Sequence, residues 1–279
     1  MGGVVVRTLE PAEVTNLVSW AAGEGWNPGL GDAEAFRAAD PDGFIGCFVN
    51  GELAAGIAAI AYDTSFGFIG LYICRPMFRG QGFGRRVWDA GMSYLGDRVI
   101  GLDGVPEQQG NYASMGFAPL YETVRWSGVA PKSMATPPSV RPAAEDDLAA
   151  LVQLDRRHFP TDRTQFLKAW LTAPRSAFVR KTHGQITGFA VVRDCGDGAK
   201  IGPLFATDEE TAENLFAACL ASRRDGLLAI DVPQHQVGFA ETLEHAGFTP
   251  GFTTARMYRG KAPAVALAGV YGVTTLELG

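Results

Sequence analysis

The sequence predicts an α/β protein made of two consecutive, duplicated domains. Three observations carry that prediction. A short apolar run, Phe66-Gly-Phe-Ile-Gly-Leu-Tyr-Ile-Cys74, leads through the glycine-rich turn Arg79-Gly-Gln-Gly-Phe-Gly84 into a helical pattern. The segment Gly116-Phe-Ala-Pro-Leu-Tyr-Glu-Thr-Val-Arg125 returns as Gly247-Phe-Thr-Pro-Gly-Phe-Thr-Thr-Ala-Arg256, with five identities, no gap and an offset of 131. Between the copies, Ala130–Ser139 lacks periodicity and holds three prolines, as a linker does.

Composition agrees with two packed domains. A chain of 279 residues, 47% of them hydrophobic, supplies two cores. The net charge is −6, with no basic block, which argues against nucleic acid as a partner. Cys47, Cys74, Cys195 and Cys219 are scattered, as are the four histidines, so neither a disulfide framework nor a zinc site is expected. No apolar run approaches the ~20 residues of a membrane span. The start, Met1 to Val6, carries no basic segment and no lipidation signal, so a cytoplasmic protein without membrane partners is expected.

In chain order, Val6-Arg7 and the Glu-containing helix start after it are matched by Val140-Arg141 and Glu145, which sets the beginning of each copy. Phe66–Cys74 is rich in aromatic and β-branched residues and reads as a buried strand. After Gly84, Val87, Ala90, Tyr94 and Leu95 recur at helical spacing. Strand, glycine turn and helix together form an anion site: glycines admit close backbone approach, and the helix N-terminus offers free N–H groups and a positive dipole end. Two common phosphate loops do not fit. Gly84 is followed by Arg85 and Arg86, with no Ser or Thr for a metal, and Gly80, Gly82 and Gly84 are spaced two apart rather than G-x-G-x-x-G. Val99–Leu102 reads as the next strand, and Asp103-Gly-Val-Pro106 recurs as Asp231-Val-Pro233, so Asp103 is expected to serve a structural turn. His158, in Arg156-Arg-His, is expected on a solvated helix face.

Arg79-x-x-Gly82-x-Gly84 after a strand, followed in order by Tyr112-x-x-x-Gly116-Phe117, resembles the GNAT N-acetyltransferase superfamily over about the first 128 residues. The resemblance implies two GNAT-like domains, each a mixed, mainly antiparallel sheet flanked by helices: an acting domain at 1–128, a linker at 129–139 and a degenerate domain at 140–279. It implies acetyl-CoA as co-substrate, without a metal. The backbone of Arg79, Gly80, Gln81, Gly82, Phe83 and Gly84 would hold the pyrophosphate, and Tyr72, Ile73 and Cys74 the pantetheine arm, with Asn111 nearby. Tyr112 would reprotonate the leaving thiolate. The loop Glu24-Gly-Trp26-Asn27 stands where the superfamily binds acceptors, so Glu24 is a candidate base and Trp26 and Asn27 candidate substrate contacts; Glu107 and a water chain are alternatives. The implied reaction moves acetyl to a primary amine of a small molecule in a ternary complex. An acyl-CoA sensor without turnover is the alternative, and a homodimer remains open.

The second copy departs at both key places. The counterpart of the glycine turn, Phe205-Ala-Thr-Asp-Glu-Glu-Thr-Ala-Glu213, has no glycine, and Thr207-x-x-Glu210 reads as a capping box. Acids at that helix start would repel a pyrophosphate. Leu243 stands where the first copy has Tyr112. The second copy should therefore serve as a packing partner or as a wall of the first copy's cleft.

Overall fold

The computed structural model describes residues 3–279, so the expectation about Met1 and Gly2 lies outside the described residues. The first half contains β1 (Val4–Thr8), α1 (Pro11–Gly23), α2 (Asp32–Ala39), β2 (Phe44–Val49), β3 (Glu52–Ala61), β4 (Phe66–Cys74), α3 (Phe83–Leu95), β5 (Val99–Gly104), α4 (Pro106–Ser114) and β6 (Phe117–Val129). The second contains β7 (Val140–Pro142), α5 (Leu148–His158), α6 (Thr164–Trp170), β8 (Ser176–Thr182), β9 (Gln185–Asp194), β10 (Ala199–Ala206), α7 (Glu209–Ser222), β11 (Leu227–Pro233), α8 (Val237–His245), β12 (Thr249–Arg259) and β13 (Val270–Gly272). The order of elements repeats, and so do details. Arg7 pairs with Glu13 at the start of α1, and Arg141 pairs with Asp147 at the start of α5, each at 2.7 Å.

The halves share one sheet, in the order β1-β2-β3-β4-β5-β12-β6-β11-β10-β9-β8-β7, with β13 against β10. Two neighbouring pairs, β4–β5 and β10–β11, are parallel, and the rest are antiparallel. Each half gives its last long strand to the other. β12 lies on β5, and β6 lies on β11.

The recurring Arg and Asp residues explain this exchange. Asp103 on β5 faces Arg256 on β12, which donates to both its carboxylate oxygens at 2.7 and 2.8 Å. Asp231 on β11 faces Arg125 on β6 in the same way, at 2.7 and 2.9 Å. The side chains of Asp103, Asp231 and Arg256 are buried, and that of Arg125 nearly so. Two-pronged Arg–carboxylate geometry satisfies charges that would otherwise be costly inside the protein. Asp103 is therefore a strand residue clamped to the opposite half, not a turn residue.

Two further expectations are corrected. The helix cap in the second half is Asp208 rather than Thr207: the Asp208 carboxylate accepts the Thr211 N–H at 2.8 Å, and Thr207 only donates its hydroxyl to Asp208. His158 is not solvated. α5 turns it inward against the Phe205 ring, its Nδ1 lies 2.9 Å from the Ala266 carbonyl, and burial pushes its pKa down.

Candidate functional site

Strands β4 and β5 pair only from Phe66↔Val99 to Ile69↔Leu102. Beyond Ile69 they part. On its other side, β4 places Gly70 opposite Ala58 and Ile73 opposite Gly56, so Leu71 and Tyr72 share the space of Ile57. This is a β-bulge, and Leu71 takes a positive φ of 47° within it. The bulge bends β4 away and leaves its backbone open toward β5. A cleft of about 660 Å³ fills the opening, with Gly70 to Cys74 on one wall and Leu102, Asp103, Glu107, Asn111 and Tyr112 on the other.

The glycine turn stands at the end of β4. Gly80 and Gly82 have φ of 75° and 82°, and Gly82 caps α3. The first turn of α3 holds no acid, so its free N–H groups and positive dipole end face outward unopposed. Arg79 is exposed but tied down: its Nε donates to the Cys74 carbonyl at 2.8 Å, and its guanidinium pairs with Glu24 at 2.5 Å. It ties the turn to β4 and to the end of α1. The amide of Gln81 donates to the Met77 carbonyl at 3.0 Å, and Phe83 packs edge-on against Phe78. A Cβ on Gly84 would stand 3.1 Å from the Tyr72 hydroxyl.

Gly82→Val isolates the role of this turn. Around Gly82 there is open space, so the effect comes from backbone conformation. A left-handed residue with a Cβ costs about 1–2 kcal/mol, which converts to a roughly 5–30-fold loss of acyl-CoA affinity. Calorimetric titration of the folded variant checks this; unchanged affinity would detach the turn from ligand binding.

α4 carries the opposite wall. Tyr112 stacks on Trp88 with centroids 5.6 Å apart, and Tyr72 lies tilted against the same indole at 5.3 Å. Burial pushes the Tyr112 phenol up to about 12. It therefore stays protonated at neutral pH and can give a proton only to a strong base such as a thiolate. The Asn111 amide faces the cleft and donates to Gln108 at 3.0 Å. Cys74 also lines the cleft, but burial raises its thiol, which disfavours a nucleophilic thiolate.

The loop Glu24–Asn27, expected to contact the acceptor, divides. Glu24 and Trp26 line the cleft, with Glu24 already engaged by Arg79. The Trp26 carbonyl accepts from Lys200 at 2.6 Å and from Arg125 at 3.2 Å. Asn27 is directed elsewhere. Its amide bonds the backbone of Asp197, in the β9–β10 hairpin, at 2.8 and 3.0 Å, so it anchors the two halves instead of lining the cleft.

Part of the cleft was not legible in the sequence. Arg125, Phe252, Thr254, Leu276 and Glu277 complete it, the last four from the second half. Strand exchange brings in Phe252 and Thr254. The C-terminal tail brings in Leu276 and Glu277: the Glu277 carbonyl sits so close over Gly70 that a Cβ there would be 1.8 Å away. No local pattern in Thr274-Thr-Leu-Glu-Leu-Gly279 marks that path.

The corresponding opening in the second half is closed. β10 and β11 pair from Ala199↔Leu228 to Ile201↔Ile230 and then part, but β13 lies in the gap, with Gly272 opposite Leu204. The carbonyls of Val273 and Thr274 crowd Gly202, the counterpart of Gly70. Leu243 is fully buried. The same tail thus plugs the second opening and walls the first.

Known proteins share this organisation. Residues 12–118 match the model of the acetyltransferase (GNAT) family, and residues 151–272 match an acetyltransferase (GNAT) domain. Holothin acyltransferase of Pseudoalteromonas sp. (strain SANK 73390) is 33% identical over 274 residues, spanning 98% of this chain and 92% of that one. A candidate acetyltransferase from Pyrococcus horikoshii superposes with a TM-score of 0.83 at 20% identity, over 99% of this chain and 96% of that one. A tandem GNAT protein from the clavulanic acid biosynthesis pathway superposes at 0.66 with 14% identity, covering 93% and 100%.

Proposed function

For a chain that belongs to the GNAT acetyltransferase superfamily as a tandem member, and is an acyltransferase, we propose transfer of acetyl from acetyl-CoA to the primary amine of a small molecule. One observation carries this reading: Arg79 at the head of the glycine turn, the opened edge of β4 and Tyr112 all line a single cleft. Acetyl-CoA would supply an activated thioester. The residues of the chain would do the rest. Free backbone groups of Tyr72, Ile73 and Cys74 pair with the amides of the pantetheine arm. The N–H groups from Gly80 to Gly84, backed by the α3 dipole, hold the pyrophosphate, while the Arg79 N–H is already given to the Pro76 carbonyl at 3.2 Å. Tyr112 donates its proton where the sulfur leaves. With Cys74 protonated, the amine attacks directly, and the cleft supplies near-attack geometry. Walls from both halves favour a small acceptor over a protein surface lysine.

The test is thiol release from acetyl-CoA across a panel of amines, with mass detection of the acylated product, beside a calorimetric titration. Release with at least one amine and one acetyl-CoA per chain are expected, since β13 occupies the second opening. Binding without release across the panel would favour the acyl-CoA sensor. Two equivalent sites would mean that the second half also binds.

A further inference from the structure

Among the acids along the cleft, the buried Asp103 is clamped by Arg256, and Glu24 is held by Arg79. Glu277 differs. Its residue is only 4% exposed, and it lines the cleft. Among the described residues, no hydrogen bond or ion pair ends on its carboxylate; its backbone N–H alone is engaged, with the Thr275 hydroxyl.

The tail holds Glu277 firmly. Thr275 Oγ1 accepts the N–H groups of Glu277 and Leu278, both at 3.0 Å. The Leu278 carbonyl accepts the Tyr62 hydroxyl at 2.9 Å, and the Gly279 carbonyl accepts Arg163 at 3.2 Å. Gly70 leaves room for the tail to cross β4 directly at the bulge. A carboxylate that is buried, positioned and unpaired on the protein side has its acceptor capacity left for something in the cleft.

Building on the acyl-transfer reading above, we propose that Glu277 is the proton acceptor for the amine, delivered to the first-half site by the C-terminal tail. The carboxylate takes one proton from the ammonium form of the acceptor, leaving a neutral amine with its lone pair free to bond the acyl carbon. The carbon–sulfur bond then breaks, and Tyr112 gives its proton to the sulfur. The second nitrogen proton, shed as the amide forms, restores Tyr112. One proton in all leaves through Glu277. The charges facing it are Lys200 on β10, Arg193 on β9, Arg125 on β6 and Asp103 on β5, with the Cys195 thiol beyond β9.

Glu277→Gln in the full chain is the test, on an amine that the unaltered chain acylates. Its kcat/KM is expected to fall roughly 10²–10⁴-fold, the scale of general-base assistance. Acetyl-CoA affinity and Tm should stay as they were. Glu277→Asp should recover part of the rate. Near-normal kcat/KM overturns the proposal alone. So does a loss confined to Glu107→Gln, the other unpaired acid on the cleft. Absence of thiol release by the unaltered chain with every amine overturns the function itself, and this proposal with it.

Discussion

Produced as separate chains, residues 1–128 and 140–279 are each expected to fail to fold as monomers. In the intact sheet β12 lies between β5 and β6, and β6 lies between β12 and β11. A first half alone keeps β6 but loses β12, so β5 becomes an open edge and Asp103 a buried carboxylate without Arg256. A second half alone leaves Asp231 without Arg125. Removing one partner of a buried ion pair costs about 3–5 kcal/mol, against a whole-domain stability of about 5–15 kcal/mol. Core packing is lost as well: Ala255 and Met257 of β12 pack into the cluster around Trp88 and Leu102, and Trp126 of β6 packs into that of Leu228 and Phe248. Circular dichroism melts and gel filtration of each fragment, alone and co-produced, check this. A monomeric half with a cooperative melt would contradict it, and co-production should restore the fold.

Tyr112→Phe is expected to lower kcat by roughly 10²–10⁴-fold. The substitution keeps the ring stacked on Trp88 and removes a hydroxyl that makes no hydrogen bond to the described residues, so acetyl-CoA affinity and Tm should move little. The pH dependence has a definite sign. The acid must be protonated to act, and burial holds the phenol at about 12, so no decline in rate from Tyr112 should occur between pH 6 and about 10. A decline in that interval, shared by wild type and Tyr112→Phe, would belong to another group. Steady-state kcat over that interval decides it, and near wild-type turnover would leave Tyr112 as a packing aromatic.

Local patterns were enough where the chemistry is local. Phe66–Cys74 is apolar and β-branched, and it is β4. Gly80 and Gly82 are small because both take a positive φ, and the helical spacing after Gly84 is α3. The duplication was visible because Asp103, Asp231, Arg125 and Arg256 must recur for both clamps to form. The loop that follows α1 was legible only in part. Glu24 and Trp26 reach the cleft, but Asn27 bonds Asp197, a partner 170 positions away. Thr207 read as the cap, with its capping-box partner at Glu210; the oxygen that reaches the Thr211 N–H puts the cap at Asp208 instead.

By itself, the sequence determined the superfamily, the tandem organisation, the glycine turn that opens α3 in the first half and its loss in the second. Those features rest on residue types at short spacing, which fix backbone conformation over a few positions. Only the tertiary structure decided that the halves exchange β6 and β12, that β13 fills the second opening, and that Glu277 lies over Gly70. These depend on pairings between positions far apart in the chain, from Leu204↔Gly272 within the second half to Glu277 over Gly70 across the halves. Buried charges and unpaired strand edges make such pairings favourable, and no local pattern of residues encodes where the chain will find them.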